Sequence, residues 1–171
     1  MGCGEEIWGV FASQCLFFDA KAIDFSREKI AIQETLAARL KTSRFTPVFA
    51  DATKMPFSSE YFDVVNCFAV LPLIPGQGDC AVMREIGRVL KYSGRALITV
   101  GYGNEYKEQI DTASTKGFSR VYDETALWER LIVPSGLRLE KRIYFVEPKL
   151  KFSKLWFRMP FLLKLPLRWL S

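Results

Sequence analysis

Apolar positions along this chain follow two alternating periods. Over residues 5–16 they fall three and four apart (Ile7, Trp8, Val10, Phe11, Cys15, Leu16), which predicts a helix. Residues 20–24 read as a short strand ending on the carboxylate of Asp24. Ser26 is a suitable N-cap for a helix over 27–40 with the stripe Ile30, Ile32, Leu36, Ala37 and Leu40. A second strand, 45–50, again runs into a carboxylate, Asp51. Residues 52–61 form a loop containing Pro56, and 62–71 is almost wholly apolar, as expected of a strand covered on both faces. The proline- and glycine-rich segment 72–79 is a loop, and 80–90 a helix that buries Val82, Met83, Ile86, Val89 and Leu90. Gly94 allows a tight entry into a strand over 95–100. Residues 101–120 are polar and expected to be a mobile connection, 124–134 to be helical, and 137–146 to be a last strand. Strands alternating with helices of 10–15 residues predict a parallel sheet with helices on both faces, a Rossmann-like α/β domain over 1–148.

Charge changes that picture only at the C-terminal end. The segment 149–171 carries six basic residues and no acidic one, whereas 1–148 holds 18 basic and 19 acidic residues. Its basic residues alternate with Phe, Leu and Trp, a composition suited to peripheral contact with a membrane surface or to a lid over the sheet. Pro160 and Pro166 interrupt any continuous amphipathic helix there. The near-neutral domain argues against a nucleic-acid partner. No apolar run reaches the ~20 residues of a spanning helix. With no histidine in 171 residues, His-based triads and histidine general bases are excluded. Four cysteines without CxxC spacing suggest neither zinc nor a disulfide framework, so a cytoplasmic setting is expected, with peripheral membrane contact through 149–171 as an extension.

The candidate chemistry lies at the predicted strand ends, where α/β sheets bind ligands. Gly2-Cys3-Gly4 forms a turn into a helix, where missing side chains let a ligand approach the backbone. Asp24, 20 residues after Gly4, can accept two ribose hydroxyls, and Asp51 can accept from an adenine amino group. Each has an ordinary alternative: a turn, a helix cap, a solvated loop acid. As an ordered set they point to an adenosine-bearing small molecule laid across the sheet edge.

The stretches Gly2-Cys3-Gly4-Glu5, Ala22-Ile23-Asp24-Phe25-Ser26, Phe49-Ala50-Asp51-Ala52, Pro56-Phe57, Phe62-Asp63-Val64-Val65 and Arg84-Glu85-Ile86-Gly87-Arg88-Val89-Leu90-Lys91-Tyr92-Ser93-Gly94 resemble the class I S-adenosylmethionine-dependent methyltransferases, in particular their type 11-like domain. The resemblance covers about residues 1–146. It implies S-adenosylmethionine as cofactor, with Gly2, Cys3 and Gly4 along its methionine part, Asp24 on the ribose, and Phe25 against the adenine. Asp51 and Ala52 would contact the adenine edge. Asn66, Cys67 and Phe68 would lie beside the sulfonium methyl. It implies no metal and assigns no catalytic residue, since aligning a nucleophile with an activated methyl supplies much of the rate.

The pattern departs from the family at its start. The family's first, central strand and the acid that ends it precede the glycine turn, whereas this chain begins inside that motif, and Glu6 stands at the third glycine. The expectation is an N-terminally truncated form of the fold, with the two strands that flank the missing one left without their shared partner. The reading is methyl transfer to a small-molecule or lipid-like acceptor. Its alternative is a non-catalytic remnant of the fold acting as a binding or scaffolding module. A nicotinamide-dependent oxidoreductase would need a glycine at Ile7 and fits poorly.

Overall fold

The computed structural model describes residues 1–2, 8–111 and 117–144. Cys3, Gly4, Glu6 and the segment 149–171 lie outside the described residues.

The first layer is built around β1 (Ala20–Asp24) and β2 (Phe45–Phe49), which pair in parallel with Asp24 opposite Phe49. Successive residues of a strand point to opposite faces, and β1 uses both. Ala22 packs with Val10 and Phe45 in a small cluster, while Ile23 joins the larger core. Helix α1 (Trp8–Cys15) closes on β2 through Gly9, where a Cβ would come within 2.4 Å of the Phe45 ring. Helix α2 (Arg27–Arg39) starts as predicted at Ser26, whose hydroxyl accepts from the Lys29 amide at 3.3 Å.

The predicted helix faces need correction. In α1, Val10 and Ser13 are buried, but Phe11 and Leu16 face solvent. In α2, Ile30 and Gln33 are buried and Leu36 and Ala37 pack against the Val10, Ala22 and Phe45 cluster, whereas Ile32 and Leu40 are exposed. Positions two apart lie on opposite sides of a helix, so Ile32 cannot share the face of Ile30.

The second layer pairs β3 (Phe62–Phe68) in parallel with β4 (Leu90–Thr99). Helix α3 (Gly78–Val89) covers one face: Val82, Met83, Ile86 and Val89 form the main core with Val65, Cys67 and Leu90, which is the buried set the heptad spacing predicts. The expectation that β3 is covered on both faces is overturned. Val64 and Phe68 are 49% and 38% exposed, and Leu97, opposite Asn66 on β4, is exposed too. Strand β3 also stops at Phe68 rather than residue 71, because Ala69 takes a left-handed conformation and Pro72 starts a 3-10 turn over Leu71–Leu73. Strand β4 starts at Leu90, earlier than predicted. It pairs there with Phe62, then resumes at Arg95 opposite Val64 after an irregularity that absorbs the extra residues.

The polar stretch 101–120, expected to be a mobile connection, instead forms strands over much of its described part. Short β5 (Gly101–Tyr102), β6 (Lys107–Asp111) and β7 (Gly117–Tyr122) form a three-stranded sheet in the order β5-β7-β6, with β6 and β7 antiparallel. A helical run α4 follows, made of Glu124–Ala126, a π-type turn Leu127–Ile132 and Val133–Ser135, and is capped by Asp123. It meets α3 where Gly87 lies against Ser135. A Cβ at Gly87 would come within 2.0 Å of the Ser135 carbonyl oxygen. Gly136, in the left-handed region, ends the run. The strand expected over 137–146 is not formed in the described part, 137–144: no neighbouring strand supplies a ladder. Residues Met1–Arg138 make one compact unit and Leu139–Ser171 a second.

The fold is therefore α/β and Rossmann-like, with two parallel strand pairs. Among the described residues no strand joins β1–β2 to β3–β4. The α-amino group of Met1 donates to the carbonyl of Asn66 on β3 at 2.8 Å. Among the described residues no helix is long and apolar enough to cross a membrane.

Candidate functional site

Parallel pairing brings two predicted carboxylates to one edge. The Ala50 amide donates to the Asp24 carbonyl at 3.0 Å, extending the β1–β2 ladder by one step and leaving Asp24 and Asp51 at adjacent strand ends. The Asp24 side chain is buried, and its Oδ1 accepts from the Ser26 amide at 2.9 Å. The cap of α2 is Ser26 itself; the Asp24 bond to its amide is a local turn that fixes the carboxylate's direction. Asp51 is exposed and its Oδ1 accepts from the Thr53 amide at 2.8 Å, folding the start of the following loop around it. Ala52 packs against the main core. Phe25 leaves its ring 81% exposed immediately after Asp24. A whole aromatic ring in water is a cost unless something covers it. Nearby on β2, the Arg27 guanidinium lies 4.2 Å from the Phe49 ring centre.

The end of β3 meets the chain's first residues. Gly2 is left-handed (φ 56°), and a Cβ there would come within 2.4 Å of Val70, so only glycine keeps this turn against the strand end. Asn66 is exposed and Phe68 partly so, on one face of β3. Cys67 alternates to the other face, is fully buried in the core, and has its thiol pKa pushed up by that burial. Its side chain is thus part of the packing against α3, and Asn66 and Phe68 are the β3 side chains on the open face.

Several residues that organise these ends were missed as site residues. Glu85 and Arg88, one turn apart on α3, hold the loop after Asp51. Glu85 accepts from the Met55 amide at 2.7 Å, and Arg88 donates to the carbonyls of Phe57 (2.7 Å) and Met55 (3.1 Å). The two also pair directly at 2.7 Å, and Arg88 holds the Glu85 carboxyl below the usual carboxylate range. Both lie in the Arg84-to-Gly94 stretch, and their i, i+3 spacing was the available signal. The loop 72–79 is held by Asp79, Arg120, Tyr122 and Arg130, residues scattered over 51 positions of sequence. No local pattern signals such a cluster.

A family model described as a methyltransferase domain matches residues 1–98 of the chain. The chain belongs to the methyltransferase-domain family. No curated protein matches it in sequence. Among solved structures, the PH0226 protein from Pyrococcus horikoshii is similar over 84% of this chain and 76% of its own (19% identity, TM-score 0.60). The [4+2]-cyclase SpnF is similar over 78% of this chain and 47% of its own (23% identity, TM-score 0.60). Geranyl diphosphate C-methyltransferase from Streptomyces coelicolor, solved with S-adenosyl-L-homocysteine, is similar over 56% of this chain and 35% of its own (17% identity, TM-score 0.51). This methyltransferase domain thus spans less than half the length of the last two. At these identities the structural likeness speaks for the fold.

Proposed function

We propose that this methyltransferase domain binds S-adenosylmethionine across the ends of β1, β2 and β3 and transfers its methyl group to a small-molecule or lipid-like acceptor. The observation that carries the reading is the pair Asp24 and Asp51 at adjacent parallel strand ends, with an exposed Phe25 ring between them in sequence. The residues present suit this cofactor. Asp24, oriented by the Ser26 amide, would accept from ribose hydroxyls, and Phe25 would cover the adenine. Asp51 and Ala52 would meet the adenine edge, and Gly2, Cys3 and Gly4 would run along the amino-acid part. Asn66 would sit near the sulfur. The cofactor supplies a methyl group already activated on a sulfonium. The chain's own part is then to hold and orient it, to keep water out and to bring an acceptor into line. The geranyl diphosphate enzyme makes a lipid-like acceptor a reasonable class. The segment 149–171, basic and aromatic, would deliver such an acceptor from a membrane surface, with the protein otherwise cytoplasmic.

Titration with S-adenosylmethionine by calorimetry tests the reading, with Asp24→Ala as control. Saturable binding that the substitution abolishes is expected. A folded protein that binds none favours the second reading, a binding or scaffolding module without catalysis, for which the separate β1–β2 and β3–β4 pairs speak.

A further inference from the structure

Asp79, in the first turn of α3, is fully buried, yet its carboxylate is surrounded by donors from two distant elements. Tyr122 of β7 donates to Oδ2 at 2.9 Å, and so does Arg130 Nε of α4 at 2.9 Å. Arg130 Nη2 donates to Oδ1 at 2.8 Å, and Arg120 Nη1 lies 2.7 Å from Oδ2. Arg120 is buried as well. Its Nη2 donates to Glu108 at 2.8 Å and to the Gly76 carbonyl at 2.9 Å. Arg130 Nη2 donates to the same carbonyl. Two guanidinium groups therefore converge on one backbone oxygen of the loop that follows β3. Gly76 presents that oxygen from a left-handed conformation (φ 61°), with open space where a Cβ would be. The glycine is there for the backbone's direction, not for room.

A cluster of two acids and two arginines is a poor way to add stability, because apolar residues of the same shape do as well. What it does supply, and apolar packing does not, is a fixed direction for a turn that has no secondary structure of its own. We propose that Asp79, Arg120 and Arg130 are positioning residues: they clamp the 74–78 turn to β7 and α4, setting the acceptor-side wall beyond the end of β3. This rests on the methyltransferase reading for the wall's purpose, though not for the clamp itself. Val70, at the start of the same loop, lies against Gly2.

Hydrogen exchange of the full chain tests it, comparing wild type with Asp79→Asn and with the less disruptive Arg130→Met, and Arg130→Lys as the conservative variant. Amide exchange over 71–78 should accelerate at least tenfold in Asp79→Asn and Arg130→Met. Exchange in β1 and β2 and the affinity for S-adenosylmethionine should stay within twofold. Arg130→Lys, which keeps the charge but not the two-point grip, should fall between. Unchanged exchange over 71–78, or a uniform rise across all elements, would overturn the clamp. Absence of S-adenosylmethionine binding in the wild type, with the local acceleration intact, would leave the clamp standing and remove its acceptor-side role.

Discussion

The two parallel strand pairs use the same ladder but are held in different ways. Around β1–β2 the local cluster is small, Val10, Ala22 and Phe45, with Ile23 reaching the main core, and the strand ends leave Phe25 and Asp51 in solvent beside the buried Asp24. Around β3–β4, α3 and α4 supply six of the fourteen buried residues of the main core, and a buried charge cluster ties down the following loop. On the proposed reading the first pair presents groups for a ligand to cover, while the second fixes a frame. A ligand that binds only the folded state stabilises it by mass action. Cofactor should therefore protect the β1–β2 layer more than the β3–β4 layer.

The largest effect should come from the frame. Gly87→Val drives a branched side chain into the Ser135 carbonyl, 2.0 Å from where its Cβ must go, and α3 cannot yield without leaving the core. A loss of about 3 kcal/mol or more is expected, read from urea unfolding. A similar loss in cofactor binding alone, with unfolding unchanged, would contradict the division of labour. Next, Asp24→Ala should lower S-adenosylmethionine affinity by roughly 10- to 100-fold, the scale of hydrogen bonds to a charged group. Its stability cost should be only about 1 kcal/mol, from losing the hydrogen bond to the Ser26 amide.

Acid should separate the two layers as well. Burial raises the Asp79 pKa, but the Arg130 and Tyr122 hydrogen bonds and the charge of Arg120 outweigh it and leave it lowered. Hydrogen bonds from Tyr106 and Arg120 lower that of Glu108. Groups lowered in the folded state take up protons in the unfolded chain first, at about pH 4. Their contribution is present above that pH and is lost as pH falls through the folded values. Stability measured by chemical unfolding should drop below about pH 4, and less steeply in Asp79→Asn. The smallest effect should come from Phe25→Ala: affinity for S-adenosylmethionine weaker by roughly three- to tenfold, in line with about 0.5–1.5 kcal/mol for an aromatic contact, with unfolding nearly unchanged because the ring is 81% exposed.

Much of the fold was legible because it is local. The heptad-like apolar spacing of α3, the Ser26 cap and the short apolar strands before Asp24 and Asp51 each depend on residues within a few positions of one another. The candidate carboxylates were legible for the same reason: a strand end followed by a helix is a local signal. The errors came where partners are distant. Residues 101–120 read as a mobile connection because many of their side chains are polar, yet Arg120, like Tyr122 just beyond, is buried against Asp79, more than 40 residues away. The apolar run of β3 predicted two covered faces, but only the α3 side is covered among the described residues.

The chain's own order of residues thus determined which segments are strands and helices, and which acids stand at strand ends. Periodicity, capping and backbone conformation act over single turns. Which faces are covered, which loop is clamped and which side of β3 is left open were decided only in three dimensions. Burial and ion pairing depend on what other segments bring to the same place, and a carboxylate such as Asp79 is indistinguishable from a surface acid until Arg120, Tyr122 and Arg130 arrive around it.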